Sequence, residues 1–456
     1  MMKTKYVLLD LSVLLLFGSS ARAQGFGTAP TAASHTSINN VIYADTQPGT
    51  TADVKINACI AALPANGGTC DARGFGSTSQ TIAAKVTVGT NSKTVTLRVD
   101  RTTIFNCTIT NGVDPCFDLG PGSAIIGEGG VVTLPNAGIT FAPNANVVAG
   151  VRNVQQNGGN FVGAYIEGLT IIPNMTMTVK DAVVSLQNPL QITHVKNLTV
   201  GGSGVAGILL KLYCTTGKSC GNVEFDNIQI DCLGGPGCKP VWIGCTNANS
   251  TALGSCGGMG GINFQGPSAI AHPGPGGIPI FDVEGGNGAG GCNPIEDINW
   301  YGVQLESRNT GDIGIFLNGV NGSAHVYGLV ATANTYPGAD VIRISQPAGC
   351  AVDGIDIRGV SNQASWTTTL NNTINRRTFT AAGGFARLNY SYSGLNRIQN
   401  IVDGGPVGYG GVTFVNLGTP ANGTFTFCSD CTIANPCAGG GTGAFAKRLN
   451  GIWVCN

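Results

Sequence analysis

The chain has 456 residues, among them 70 Gly, 21 Pro and 16 Cys; 42% are hydrophobic, only 11% are charged, and 24 acids balance 24 bases. Zero net charge excludes a whole-chain field that would gather nucleic acid, an anionic membrane or a polyanion, and past the N-terminus no run approaches the roughly 18 apolar residues of a membrane span. So large an apolar share with so few charges implies a big core and a weakly charged surface, in two or three domains or in one elongated solenoid.

Lys3 and Lys5, the apolar run Val7 through Phe17 and then Ala21-Arg22-Ala23 give residues 1–23 the order of a secretory signal peptide, so the mature chain is expected to be secreted, extracellular or periplasmic. Cysteines outside the cytoplasm read as disulfides. Sequence proximity suggests Cys59 with Cys70, Cys107 with Cys116, Cys214 with Cys220, Cys232 with Cys238 and Cys245 with Cys256, although connectivity cannot be fixed from sequence. Residues 24–50, rich in Thr, Ala, Ser, Asn and Gly, read as a flexible lead-in. Thr51-Ala52-Asp53 followed by Val54, Ile56, Ile60 and Leu63, then Pro64 and Gly67-Gly68, predicts one short helix. It opens an N-terminal cap with first coils over 51–122, where Thr94 to Val99 is strand-like.

From 123 to 410 the chain repeats itself. Six heptads align, beginning at Tyr165, His194, Glu224, Asn299, His325 and Asp356, spaced 26–31 residues apart except for one gap of 75. Position two is always apolar (Ile166, Val195, Phe225, Trp300, Val326, Ile357), and so is position five (Leu169, Leu198, Ile228, Val303, Leu329, Val360). An uninterrupted strand alternates with period two and cannot put both on one face. Position four is always Gly or Asn, the residues that accept positive φ, so the chain is expected to bend there and turn both apolar positions inward. A second strand follows at about half a period, as in Ala182 to Leu186, Gly207 to Leu212 and Ile313 to Leu317, and the long gap has room for a further coil using Ile262 to Phe264 and Pro279 to Val283. The fold class is therefore all-β, a right-handed parallel β-helix with an N-terminal capping helix. Residues 411–456 form a small Cys-rich module in which Cys428, Cys431, Cys437 and Cys455 read as disulfides ahead of a zinc site, because a second CxxC is absent; no metal site is assigned.

Tyr43-Ala44-Asp45, the stretch Asp53 to Pro64, Gly67-Gly68-Thr69 and Ser123 to Gly129, taken with the heptads, resemble the pectate lyase superfamily, in particular its pectate-lyase-like and rhamnogalacturonase/epimerase-like members, over roughly residues 43–400. The motifs are fold motifs. The NxD, DD, GHG and RxK signatures of the polygalacturonase branch have no match, so the resemblance implies the β-helix without carrying an activity over.

Heptad positions one and three are expected to face solvent in two stacked columns, where polar groups interleaved with Tyr faces suit a polysaccharide or surface glycan. In these columns Glu224 and Asp226 are the candidate catalytic carboxylates, roughly 6.5–7 Å apart at strand rise. His194, Lys196, Tyr301, Tyr327 and Arg358 are the candidate substrate-binding residues. No cofactor is expected for a hydrolase, and Ca²⁺ for a lyase. The competing reading is a solvated sheet whose charges merely pair across strands, on a non-catalytic glycan-binding, adhesive or structural tailspike-like β-helix. Asp282 and Glu284, beside a Gly-rich insertion, could line a cleft but are not singled out. Neutral charge and the lack of a basic run argue against nucleic acid; a homo-oligomer stays open.

Overall fold

The structure, a computed structural model, describes residues 40–456 except 77, 129–136, 156–162, 175–177, 191, 202–206, 233–236, 272–277, 290, 308–312, 321–323, 334–339, 347–354, 359–360, 363–372, 380–388, 392–399, 405–412, 418 and 420–421. The signal-peptide assignment, at residues 1–23, lies outside the described residues, and within 343–412 only backbone strands are described, so the side chain of Arg358 does too.

Among the described residues the strands stack into three parallel sheets of 12, 10 and 11 strands, each strand pairing with its equivalent one coil away. A single coil shows the plan: Ser219–Asp226 lies in the first sheet, Gln229–Asp231 in the second and Cys238–Cys245 in the third. The heptad spans the corner between the first two sheets. Its fourth residue has φ 69° at Gly168, 50° at Asn197, 51° at Asn227, 67° at Gly302 and 65° at Gly328, and positions two and five on either side are buried. The long gap holds one further coil, Gly258–Gln265, Ala269–Ala271 and Pro279–Glu284, in which Gly266 turns the same corner at φ 72°.

Repetition stacks like on like inside the coil. Phe225 and Phe264 lie face to face with centroids 4.5 Å apart, Trp300 continues the stack at 6.1 Å, and Phe281 meets both Phe264 and Trp300 edge-on. The helix Ala52–Ala62 packs against the first strands and buries Ala52, Asp53, Ile56, Cys59 and Ile60. Its polar residues satisfy the first coil: Asp53 Oδ2 accepts Ala84 N–H at 2.9 Å, and Asn57 accepts from Thr87 N–H and donates to Lys85 O. Val41–Tyr43, inside the stretch read as a lead-in, is a strand paired with Gly67–Asp71.

All five pairings suggested by proximity are disulfides. So are Cys428–Cys431 and Cys437–Cys455, which leaves those sulfurs unavailable as zinc thiolates; Cys292 is disulfide-bonded as well. The C-terminal module has its own core around Leu417, Ala446 and Trp453, beneath an antiparallel sheet of Phe425–Cys428, Ala444–Leu449 and Ile452–Cys455. This density of disulfides fits an oxidising, extracellular setting, and among the described residues no helix is long and apolar enough to cross a membrane.

Two substitutions test the corner and the stack. Phe264→Ala is expected to cost about 3–5 kcal/mol in denaturant unfolding, and Asn227→Ala to destabilise more than Asn227→Gly, since Ala is strained at positive φ where Gly is not.

Candidate functional site

The heptad sheet puts the sequence-predicted residues where the pattern places them and shows what holds each. Register sets His194 beside Glu224 and Lys196 beside Asp226. His194 Nδ1 lies 3.0 Å from Glu224 Oε2, and Lys196 Nζ lies 3.5 Å from Asp226 Oδ2, all four side chains being substantially solvated. Both candidate carboxylates are thus matched to a basic partner one coil away, which is the arrangement of a solvated, charge-paired sheet. Further along, Tyr301 and Tyr327 stack with centroids 5.5 Å apart, and the His325 ring stacks on Tyr327 at 5.7 Å. Asn299, expected to face solvent, is only 4% exposed and donates to Asn263 and Asp297.

The third sheet carries charges of a different kind on its outer face. Lys211, in the otherwise apolar strand Gly207–Cys214, is buried with its Nζ 2.6 Å from Asp181 Oδ1. Ser185 donates to Asp181 Oδ2 at 2.5 Å, the Tyr213 hydroxyl lies 3.1 Å from the same oxygen, and the Lys211 ammonium sits 4.2 Å from the Tyr213 ring centroid. What buries them is the loop after Cys245. Lys211 donates to Ser250 O at 2.8 Å, and Asn249 N–H donates to Asp181 Oδ1 at 3.2 Å. Trp242 is buried in the same layer with Ala182, Ile208 and Leu253.

One coil further on the register carries Trp242 to Asp282 and Gly244 to Glu284. Asp282 is 2% exposed, and its Oδ2 receives Lys239 Nζ at 2.5 Å. Its Oδ1 is buried and has no hydrogen-bond partner. Burial, and then the charge of Asp282, push the Glu284 carboxyl up to about 8. Glu284 Oε2 accepts Asn318 Nδ2 at 2.6 Å. The loops that follow Cys245 and Glu284 are tied together on this edge: Asn293 Nδ2 donates to Gly254 O and its Oδ1 accepts Cys256 N–H, both at 2.9 Å. Ca²⁺ takes about six to eight oxygens, and this group offers two carboxyls, one of them already in contact with Lys239.

Sequence spacing did not single out Asp282 and Glu284. The signal that could have found them is a charged residue inside an apolar strand, Lys211 in Ile208 to Tyr213 and Asp282 in Pro279 to Val283, since such charges are tolerated only when paired.

No protein-family model matches the chain, and no curated protein matches it. Three solved structures are similar over most of its length. The A-module of the Azotobacter vinelandii mannuronan C-5 epimerase AlgE6 shares 11% identity, covering 80% of this chain and 98% of that one, with a TM-score of 0.37. Tailspike protein 3 of bacteriophage CBA120 shares 11%, covering 92% and 69%, at 0.30. PfbA, a surface adhesin of Streptococcus pneumoniae, shares 10%, covering 91% and 99%, at 0.28. The β-helix is established by the strand register of the chain itself; likenesses this distant add nothing about function.

The two kinds of charge respond differently to substitution. Lys211→Met strands Asp181 in a buried site and is expected to cost about 3–5 kcal/mol, against about 0–1 kcal/mol for Lys196→Met on the solvated sheet, both read by denaturant unfolding. Glu284 ionises near its ordinary 4.5 in the unfolded chain and near 8 in the fold. The stability it contributes is therefore complete below about pH 4.5 and is lost as pH rises through about 8. Over that window the wild type is expected to lose melting temperature relative to Glu284→Gln, whose neutral amide does not titrate.

Proposed function

We propose that this chain is an exported, carbohydrate-active member of the pectate lyase superfamily that hydrolyses glycosidic bonds on the outer face of its third sheet. The observation that carries the reading is the Asp282–Glu284 pair, two acids on one strand of which Glu284 is pushed up to about 8 by burial and by the charge of Asp282, while Lys239 contacts Asp282. Glycosidic cleavage needs an acid and a carboxylate that flank the scissile bond about 5–9.5 Å apart, so in this reading the glycan enters between Glu284 and Asp282 and parts them. Glu284 gives its proton to the glycosidic oxygen as the bond to the anomeric carbon breaks, and a water attacks that carbon and releases a proton to Asp282. Elimination is the weaker choice here, because the amine that would serve as base is committed to Asp282 and the group does not suit Ca²⁺.

In this reading His194, Lys196, Tyr301, Tyr327 and Arg358 on the heptad sheet are glycan contacts outside the reaction centre, and Glu224 and Asp226 are members of charge pairs. A second reading, a non-catalytic glycan-binding or adhesive β-helix, is favoured by that same pairing of Glu224 with His194 and of Asp226 with Lys196.

Reducing-end release from a panel of plant and bacterial polysaccharides separates the two, with ultraviolet absorbance to detect unsaturated products and parallel runs in Ca²⁺ and in chelator. Glu284→Gln and Asp282→Asn are expected to lose about 10²–10⁴-fold in turnover, while Glu224→Gln and Asp226→Asn keep theirs. Loss in the latter pair alone would return the site to the heptad sheet, and no product from any substrate would leave the binding protein.

A further inference from the structure

The outer face of the third sheet carries a second feature at its N-terminal end. A cavity of about 310 Å³ opens beside the strands Val86–Val88 and Phe117–Leu119, with Thr90, Asn91, Ser92, Asp118, Pro121 and Val154 in its lining. Its walls are fixed. Thr90 and Lys93 exchange backbone hydrogen bonds across a tight turn, and Lys93 Nζ ties that turn to Leu63 O at 2.9 Å. Gly89 and Gly120 bring two turns together with no side chain between them; a Cβ on Gly120 would lie 2.8 Å from the backbone of Gly89.

The chemistry of the lining is that of a polyol site. Asp118 is held in one orientation by Arg152, whose Nε and Nη2 lie 3.0 and 2.7 Å from its two oxygens. Each carboxylate oxygen keeps a lone pair for a ligand hydroxyl. The Thr90 and Ser92 hydroxyls, 3.3 Å apart, can each donate or accept. Pro121 and Val154 offer an apolar wall to the C–H face of a ring. Arg152 and Lys85 face Asp118 and Asp114, so the charge around the cavity is balanced and favours an uncharged ligand. The volume stands at the lower end of the roughly 300–1,000 Å³ of small-ligand sites, room for one sugar ring.

Register places the cavity on the same outward column as the acid pair: Asp118, Arg152, Ser185, Lys211, Trp242 and Asp282 follow one another coil by coil. Five strand spacings amount to about 24 Å. We propose that this cavity is a carbohydrate subsite that takes one neutral pyranose of a glycan, remote from Asp282 and Glu284. The ligand class rests on the carbohydrate reading above; the site itself does not depend on catalysis.

Calorimetric titration with cellohexaose, xylohexaose, mannohexaose and hexagalacturonate tests it, using the wild type, Ser92→Trp and Glu284→Gln. Ser92 is an exposed turn residue, so a Trp there fills the cavity mouth without entering the core, and a thermal melt checks that the variant folds. At least one neutral hexasaccharide is expected to bind the wild type and Glu284→Gln alike and to bind Ser92→Trp about tenfold or more weakly, a loss of about 1.4 kcal/mol. Equal binding by folded Ser92→Trp overturns the subsite. So does Ser92-dependent binding of hexagalacturonate alone, or binding of none of the four. Binding that survives in Glu284→Gln while no variant shows turnover would sink the catalytic reading and leave the subsite standing.

Discussion

The coil closes because one residue in each heptad takes positive φ. An L-residue with a side chain resists that conformation, and the chain meets the demand with Gly168, Asn197, Asn227, Gly266, Gly302 and Gly328 in consecutive coils. The two asparagines add a bond along the stack, Asn227 Nδ2 to Asn197 Oδ1 at 2.7 Å. With the corner fixed, positions two and five both face inward and the aromatic rings of successive coils fall into register. A slip of one residue would turn every one of them outward. The outward residues are fixed by the same constraint, so any site on a sheet face is a column set by the corner.

The three faces then differ in what covers them. On the heptad sheet Glu224 and Asp226 stand half-exposed and are paired with His194 and Lys196, where solvent screens the attraction. On the third sheet Asp282 and Glu284 have the same spacing, two residues apart on one strand, but Asp282 is 2% exposed and the nearby loops are tied by the Cys245–Cys256 disulfide and by Asn293. There an ionised carboxylate needs a cation or must take up a proton. The same sequence motif thus gives a charge ladder in one place and an acid beside its conjugate partner in the other. Burial makes the difference.

That contrast also explains what could be read in advance. Heptad period, corner residues, capping helix and five disulfide pairs are local properties, carried by residues close together in sequence, and all of them were legible. The acid pair was not, because its character depends on contacts between coils, Lys239 with Asp282 across 43 positions and Asn318 with Glu284 across 34. Spacing alone ranked Glu224 and Asp226 first because it counts residues along a strand and is blind to cover. The short strand Val41–Tyr43 was missed for a related reason: its only signal is the neighbour it pairs with, Gly67–Asp71.

Charge along the third sheet gives the reason Glu284 differs from its neighbours. Asp118 has Arg152, Asp181 has Lys211 and Asp282 has Lys239, so three carboxylates on this covered face are each neutralised by a cation from an adjacent coil. Glu284 has the amide of Asn318 and the carboxylate of Asp282. The amide can satisfy one oxygen without cancelling a charge, and the carboxylate opposes one. Lys239 is already in contact with Asp282, so its pull on Glu284 is the smallest of the contributions. A fourth anion on a face balanced pair by pair is therefore relieved most cheaply by a proton.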